Sequence, residues 1–331
     1  MSVGNQPLRI GTLGSARITP NALIYPARQI ADVTVAAIAA RDPAKARAFA
    51  ATHSIPQVYD SYAALLADPT IDAIYNPLPN HLHAEWTIRA LKAGKHVLCE
   101  KPLAANAGEA EQMVQTAERT GLVLMEAFHT IYHPLATRMK AIIASGELGK
   151  LRHIDVQFCT LMWRWWDIRL RYELAGGATM DLGCYAIRLL RFLAGAEPEV
   201  IHAQAQSSSP QLDRWMRADL RFPNDITGSF TCAFWSTKLI RITARVTGEA
   251  GEMQVLNPIL PQLYHQLQVR TAAGTRTERH PGDSTYTYQL RAFVAAIRSQ
   301  RPLLTDGRDG VANMRVIDAV YEKAGLQRRG V

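Results

Sequence analysis

The sequence has few cysteines and no pattern that would pair them or bind a metal. Its 331 residues include four cysteines, and none of them forms a Cys-x-x-Cys pair. Each one lies in an apolar or mixed segment, so we expect buried free thiols in a reducing compartment. That expectation favours a cytoplasmic protein without a bound metal.

Long apolar runs and export signals are also missing. No run reaches the ~18 residues that a membrane-spanning helix needs. The first residues, MSVGNQPLRIGTLG, contain no basic segment followed by an apolar one. We therefore expect neither a signal peptide nor a membrane partner. Hydrophobic residues make up 48% of the chain, which favours a sizeable core over disorder.

The net charge of +8 comes without a basic stripe. Lysine and arginine are scattered, apart from the segment WRWWDIRLRY at 163–172. A nucleic-acid-binding protein would cluster these residues on one face with aromatic residues between them, so we predict no nucleic-acid partner. An anionic small ligand explains the excess positive charge at least as well.

Short apolar runs alternate with helical patterns over residues 1–125. The runs include LRIGTLG, VTVAAIAA at 33–40 and HVLCE at 96–100. One helical segment has Asp42 as its predicted N-cap. Pro43 follows at the first helical position, where proline is favoured. This alternation predicts an α/β domain with a parallel sheet and crossover helices.

Residues 126–331 have a different pattern. Several segments alternate apolar and polar residues, as in GSFTCAFW at 228–235, and few helical segments lie between them. We predict an α+β domain, built on a large and mostly antiparallel open sheet, for substrate binding and oligomerisation. Its own helices are too few to cover both faces of the sheet, which predicts a homodimer or homotetramer.

The first predicted turn has the small residues that a dinucleotide requires. RIGTLGSARI places Gly11, Gly14 and Ala16 there, in the spacing GxxGxA rather than GxGxxG. A pyrophosphate must lie against backbone N–H groups at a helix N-terminus, where a side chain would block it. We therefore predict a Rossmann dinucleotide-binding domain over residues 1–125. Further cofactor contacts are expected in the same turn, from Ser15, Arg17 and Ile18.

The end of the second predicted strand bears on the choice of cofactor. The chain reads AIAARD, so Ala40 stands where an acid would bind the ribose of NAD, and Arg41 follows. Arg41 suits a 2′-phosphate, although a solvated residue before a helix would look the same. NADP is favoured, and NAD is left open.

Two segments carry a resemblance to a known family. They are AIYNPLPNHLHAEWTIRALKAGKHVLCEKPLA and LAGGATMDLGCYAIRLL at 174–190. They resemble the glucose–fructose oxidoreductase and inositol dehydrogenase family, whose signature is the Glu-Lys-Pro at 100–102. The chain is most similar to the branch of NADP-linked D-xylose dehydrogenases, dihydrodiol dehydrogenases and sugar ketoreductases. The resemblance implies an enzyme that moves a hydride between nicotinamide and a carbinol or carbonyl carbon. The implied substrate is a sugar, a polyol or a cyclic diol.

The resemblance also implies the catalytic groups. Lys101 would reach between nicotinamide and substrate, and Asp181 and Tyr185, which share one face of a helix, would complete the site. A tyrosine ordinarily has a pKa near ~10, and a neighbouring ammonium group lowers it. We predict Tyr185 as acid/base, Lys101 as its electrostatic partner and Asp181 as an orienting carboxylate. The alternatives are a core aromatic, a solvated strand end and a helix cap, respectively.

Further contacts follow from the same resemblance. For the cofactor they are Pro77, Leu78, Asn80, His83, Glu100 and Lys101, and for the substrate Trp165, Arg169, Asp181, Tyr185 and Tyr286. The segment 163–172 either contacts the substrate or forms a subunit contact. The chain departs from the branch at Ile131, where an arginine is common, and at His129. Some relatives are regulators that bind cofactor without turnover, but a regulator need not keep Lys101, Asp181 and Tyr185 together.

Overall fold

The computed structural model describes residues 6–163, 166–235 and 240–330. The chain forms two compact units. The first contains the chain up to 104 with 108–129 and 286–311, and the second contains 105–107, 130–285 and the chain from 312 onward. Residues 286–311, which the sequence assigns to the second domain, thus make their contacts within the first unit. The domain boundary at 125/126 stays a prediction.

The first unit is built on a six-stranded parallel sheet of order β3-β2-β1-β4-β5-β6. Parallel strands in this order form the doubly wound sheet that binds dinucleotides at its carboxyl edge, so the predicted Rossmann fold is confirmed. The strands are β1 (Leu8–Leu13), β2 (Val33–Ala39), β3 (Gln57–Tyr59), β4 (Ala73–Asn76), β5 (His96–Cys99) and β6 (Leu124–Glu126).

An eight-stranded sheet forms the second unit, in the order β14-β13-β12-β11-β7-β10-β9-β8. Neighbouring strands are antiparallel except β7 and β10, which confirms the mostly antiparallel prediction. The strands are β7 (Leu151–Cys159), β8 (Glu199–Ser209), β9 (Leu212–Arg221), β10 (Thr227–Ala233), β11 (Arg241–Gly248), β12 (Gly251–Leu256), β13 (Gln266–Thr271) and β14 (Gly274–Glu278).

The helices connect and cover these sheets. They are α1 (Tyr25–Ala27), α2 (Pro43–His53), α3 (Tyr62–Ala67), α4 (His83–Lys92), α5 (Ala107–Thr120), α6 (Pro134–Ala144), α7 (Cys184–Ala194), α8 (Thr285–Ser299) and α9 (Gly307–Lys323). The predicted start of α2 is confirmed, because the Asp42 side chain accepts hydrogen bonds from the backbone N–H groups of Ala44 and Lys45. Helix α7 packs on β7 and β10, over a buried face that includes Val156 and Phe230.

Strands β3 and β14 and helices α3 and α6 are among the elements without a counterpart in the sequence prediction. Strand β3 is three residues long, which is too short for a period of two to be visible. Strand β14 lies at the sheet edge and is almost entirely exposed, so it does not alternate between buried and exposed residues. The two strands form because neighbouring strands supply hydrogen bonds, which a local pattern does not record. The two helices have local start signals, since the side chains of Ser61 and His133 accept hydrogen bonds from backbone N–H groups in their first turns.

In 6–163, 166–235 and 240–330, no helix is long and apolar enough to cross a membrane. Over the same ranges, no group of three or more histidine, cysteine, aspartate or glutamate side chains is arranged to hold a metal ion.

Candidate active site

The turn after β1 leads into a wide helical turn, Pro20–Ile24, that continues as α1. Gly14 lies in this turn at φ +78°, and its N–H donates to the Ala39 carbonyl at 2.6 Å. A Cβ there would stand 3.3 Å from the Leu78 side chain. Beside the turn, the buried hydroxyls of Thr12 and Thr19 meet no hydrogen-bond partner among the described residues. A cradle without a side chain, next to unsatisfied hydroxyls, fits a bound pyrophosphate.

The predicted position of Gly11 in the turn is wrong, because the residue lies within β1. The residue is buried, and a Cβ there would come within 2.8 Å of the Leu65 side chain and 3.3 Å of the Ile74 side chain. Its missing side chain therefore makes room for core packing. Ser15, Ala16, Arg17 and Ile18 do lie between β1 and Pro20–Ile24, where the sequence predicts the phosphate turn.

The end of β2 presents an exposed Arg41 after the buried Ala40. The neighbouring carboxylate of Asp42 is already engaged at the start of α2. Tyr62 lies close by: burial raises the pKa of its hydroxyl, while the Arg41 charge and backbone oppose that rise. The charged group available at this position is thus a guanidinium, which suits a phosphate better than a ribose hydroxyl.

Lys101 follows β5, at the carboxyl edge of the parallel sheet, and is partly exposed. Its N–H donates to Glu100 Oε2 at 3.3 Å, and Glu100 Oε1 accepts a hydrogen bond from the Tyr75 hydroxyl at 2.7 Å. The Lys101–Pro102 peptide bond is cis. Ligands of open α/β sheets bind at this edge, so the predicted position of Lys101 suits a site residue.

His83 is fully buried, and its ring faces the protein on both sides. Its Nδ1 lies 2.8 Å from the Pro102 carbonyl and its Nε2 lies 2.7 Å from the Leu78 carbonyl. Burial lowers its pKa to about 4 against the opposing effect of these two carbonyls. His83 therefore links the segments that follow β4 and β5. Pro77 and Asn80, which were also predicted to contact cofactor, lie in the first of these segments.

His129 lies next to Tyr286, and the sequence prediction assigned it no role in the site. The two ring centroids are 4.1 Å apart, and His129 is 1% exposed. Burial lowers the pKa of His129 to about 3, and the positive charge of Lys101 adds to this effect. A neutral imidazole thus lies within the field of the Lys101 ammonium. The one indication in the sequence was that the chain departs from the family branch at His129.

The second unit contains the other predicted catalytic residues. Asp181 lies in a wide helical turn, Thr179–Gly183, and Tyr185 follows in α7. Tyr185 is 8% exposed, and its ring meets that of Phe158 edge-on at 5.7 Å. Asp181 Oδ2 lies 3.2 Å from Nε of Arg169, a predicted substrate residue. This ion pair was not predicted, because the two residues are twelve positions apart without a helical period between them.

The predicted groups therefore divide between the units. Lys101, all the other predicted cofactor contacts and Tyr286 belong to the first unit. Arg169, Asp181 and Tyr185 belong to the second. The structure brings Arg169 and Asp181 together within the second unit. Trp165, predicted to contact substrate, lies outside the described residues. Joint action of Lys101 and Tyr185 is taken up below as a proposal.

Sequence comparisons match both halves of the chain. Residues 8–128 match an oxidoreductase family with an NAD-binding Rossmann fold, and residues 136–254 match the GFO/IDH/MocA C-terminal domain. The chain is 36% identical over 318 residues to D-xylose 1-dehydrogenase (NADP(+)) 2 of Haloferax volcanii, over 96% of this chain and 97% of that one. It is 37% identical over 228 residues to trans-1,2-dihydrobenzene-1,2-diol dehydrogenase of Macaca fascicularis, over 68% and 66% of the two chains.

Solved structures agree with the sequence comparisons. A 3-ketoreductase from Actinomadura kijaniata, in complex with NADP and TDP-benzene, aligns with a TM-score of 0.89 at 28% identity, over 96% of this chain and 98% of that one. The similarity to the xylose dehydrogenase extends over nearly the full length of both proteins. The chain therefore belongs to the GFO/IDH/MocA family of NAD(P)-dependent oxidoreductases, within its group of sugar and diol dehydrogenases and reductases.

Proposed function

We propose that this protein is an NADP-dependent oxidoreductase of a sugar, a polyol or a cyclic diol, with Tyr185 as acid/base. The observation that carries the proposal is the second-unit arrangement, in which a carboxylate paired with Arg169 is followed four positions later by a nearly buried tyrosine. The similarity to a D-xylose dehydrogenase and to a dehydrogenase of a cyclic diol supports the substrate class.

NADP is the proposed cofactor, and Arg41 is the residue proposed to select it. The guanidinium is exposed at the end of β2, and Asp42 is engaged in capping α2. The related xylose dehydrogenase is named for NADP, and the aligned ketoreductase was crystallised with it. When bound, this cofactor supplies the hydride acceptor or donor.

Tyr185, Lys101 and Asp181 have different tasks in the proposed reaction. In oxidation, Tyr185 takes the hydroxyl proton of the substrate, and in reduction it returns that proton to the carbonyl oxygen. The Lys101 ammonium hydrogen-bonds the reacting oxygen and favours the phenolate form of Tyr185. Asp181, oriented by its ion pair with Arg169, accepts a hydrogen bond from a second hydroxyl of the substrate. Charge and position are what the protein contributes to the hydride transfer.

Kinetics of two variants test the proposal. The wild-type protein is first screened with NADP⁺ and NAD⁺ against D-xylose, other aldoses, inositols and a cyclic trans-diol, by following absorbance of the reduced nicotinamide. With the best substrate, Lys101→Ala and Tyr185→Phe should each lower kcat by ~100-fold or more and leave cofactor affinity nearly unchanged. Exposed residues supply matched controls, Lys92→Ala and Tyr264→Phe.

Two outcomes would redirect the proposal. A Tyr185→Phe variant with a near-normal rate would move proton transfer to Asp181 or to a water molecule. Tight NADP binding without turnover of any compound in the panel would favour a regulator that binds cofactor.

We also propose a homo-oligomer formed through the open face of the second-unit sheet. Polar residues of this face line a depression of about 270 Å³. Both charge signs are present, so a two-fold axis can place acidic groups of one copy against basic groups of another. The lining residues are Asp155, Gln157, Arg241, Thr243, Arg245 and Gln254.

A further inference from the structure

We propose that the buried ion pair of Asp213 and Arg329 is a positioning device that holds Asp181 and Tyr185 in the arrangement needed for proton transfer. The inference rests on the catalytic roles proposed above. Neither residue of the pair contacts the reacting atoms in this proposal, because each acts through the segment 176–179 that precedes Asp181. Asp213, Arg329 and this segment all lie in the second unit.

Asp213 is a carboxylate with no exposed surface, and four donors fill both of its oxygens. Oδ1 accepts from Arg329 Nη2 at 2.7 Å and from the Tyr321 hydroxyl at 2.9 Å. Oδ2 accepts from the backbone N–H and the hydroxyl of Thr179, both at 2.7 Å. A charge this well satisfied fixes the direction of every group that donates to it.

Arg329 is equally enclosed, although long charged side chains are almost never fully buried without a specific partner. Its Nε donates to the Gly176 carbonyl at 2.8 Å, and its Nη1 donates to the Gln327 carbonyl at 3.0 Å. The guanidinium lies 4.0 Å from the ring centre of Tyr321 and 4.9 Å from that of Tyr172. One side chain thus binds Asp213 and the backbone that enters the Asp181 turn.

Gly177 connects the buried ion pair to Arg169 and Asp181 through backbone hydrogen bonds. Its φ of +128° favours glycine, and a Cβ there would collide with the Asp213 carboxylate. The Gly177 N–H donates to the Arg169 carbonyl at 2.8 Å, and its carbonyl accepts from the Asp181 N–H at 3.0 Å. Both residues of the Arg169–Asp181 ion pair are therefore hydrogen-bonded through the backbone to the glycine that packs on Asp213.

A second contact extends the network toward the segment that carries Lys101 in the sequence. The Asn106 side-chain amide donates to the Arg329 carbonyl at 2.9 Å, and Asn106 is five positions after Lys101. The next residue, Ala107, donates its N–H to Asp318 at 2.9 Å. Arg329 is therefore bonded by its backbone to Asn106 and by its side chain to Gly176, which precedes the Asp181 turn.

Stability alone is a weak reason for such a pair. The desolvation free energy of two buried charges offsets much of their Coulomb attraction. Well-packed apolar residues can therefore often replace a buried ion pair without loss of stability. An apolar replacement could fill the same volume, but it would not fix the backbone at Gly176 and Thr179. The directional bonds at these positions are what the pair adds, and a displacement of about 1 Å at a catalytic group can cost ~100-fold in rate.

Hydrogen exchange tests the inference without a substrate. The variant Arg329→Met keeps the apolar stem, and Arg328→Met is its matched control because Arg328 is exposed beside it. In Arg329→Met, amides of residues 176–185 should exchange at least ~10-fold faster, while those of β12 keep the wild-type rate. Guanidinium ion added below denaturing concentrations to Arg329→Ala should restore protection. Thr179→Val, which removes one donor and keeps the shape, is a milder second variant.

Activity supplies the second readout. With the best substrate of the panel, Arg329→Met should lower kcat by ~10- to 100-fold and leave the NADPH dissociation constant unchanged. Unchanged exchange at 176–185, or equal acceleration at 176–185 and β12, would overturn the inference. A normal rate for Tyr185→Phe would instead refute the proposed acid/base and leave the exchange result standing.

Discussion

Acidification should destabilise the first unit through His129. The imidazole is 1% exposed and packed against Tyr286, and its pKa is lowered to about 3 by burial and then by the charge of Lys101. In the unfolded chain the same group has a pKa of 6.5. Since the folded pKa is the lower one, the stabilising contribution is complete above pH 6.5 and is lost as the pH falls below that value.

The size of the effect follows from these two pKa values. At pH ~5 the unfolded imidazole is almost fully protonated and the folded one is neutral, which costs about 2 kcal/mol of unfolding free energy. Any folded pKa below about 4 gives nearly the same loss at that pH, so the magnitude depends mainly on the unfolded chain. A loss of this size is a large fraction of the stability of an ordinary domain.

Urea unfolding at several pH values between ~7 and ~5 measures this loss. The variant His129→Gln should lose about 2 kcal/mol less than wild type over this range, because glutamine does not titrate. An exposed histidine supplies the control: His202→Gln should behave as wild type does. Equal losses in wild type and His129→Gln would refute the reasoning, and an NMR titration of His129 gives the folded pKa directly.

Three other measurements test the cofactor site, the core and the assembly. Arg41→Ala should weaken NADPH binding ~10-fold in a fluorescence titration and leave NADH binding unchanged, since one phosphate contact is lost; an unchanged NADPH affinity would exclude Arg41 as the selecting residue. Gly11→Ala should lower the unfolding free energy by ~1–3 kcal/mol, because the new methyl group overlaps Leu65; full stability would contradict the packing role. Light scattering at low micromolar concentration should give a multiple of 36.7 kDa, and the mass of one chain would refute the oligomer.

Most of the fold could be predicted because its elements follow from patterns among residues that are close in the sequence. The alternation of apolar runs and helices over the first 125 residues is a property of neighbouring residues, and it predicted the parallel sheet. The return of α8 to the first unit has no such signal. Thr305 hydrogen-bonds to the Glu126 carbonyl across 179 positions, and no window of sequence contains both residues.

The candidate site divides in the same way. Lys101, Asp181 and Tyr185 could be selected as candidates because each lies in a short motif, and their catalytic roles stay predictions. The environment of Arg329 was not, since its partner Asp213 is 116 positions away. The cofactor contact of His83 stays a prediction, and the sequence did not indicate that both of its ring nitrogens face backbone carbonyls. Because every residue has a backbone carbonyl, the sequence does not indicate which carbonyls a buried histidine will contact.

The late return of α8 has a consequence for biosynthesis. Glu126 of β6 donates its N–H to the Thr305 carbonyl and accepts from the Thr305 hydroxyl, and both bonds form only after the whole second-unit sheet has left the ribosome. Arg298, which donates to the Gln6 carbonyl at 2.6 Å, arrives equally late. Until then the first unit lacks the contacts that residues 286–311 make within it, and an incompletely packed domain exposes apolar surface that promotes aggregation. Nascent chains of this protein should therefore need chaperones most while residues 130–285 are being translated.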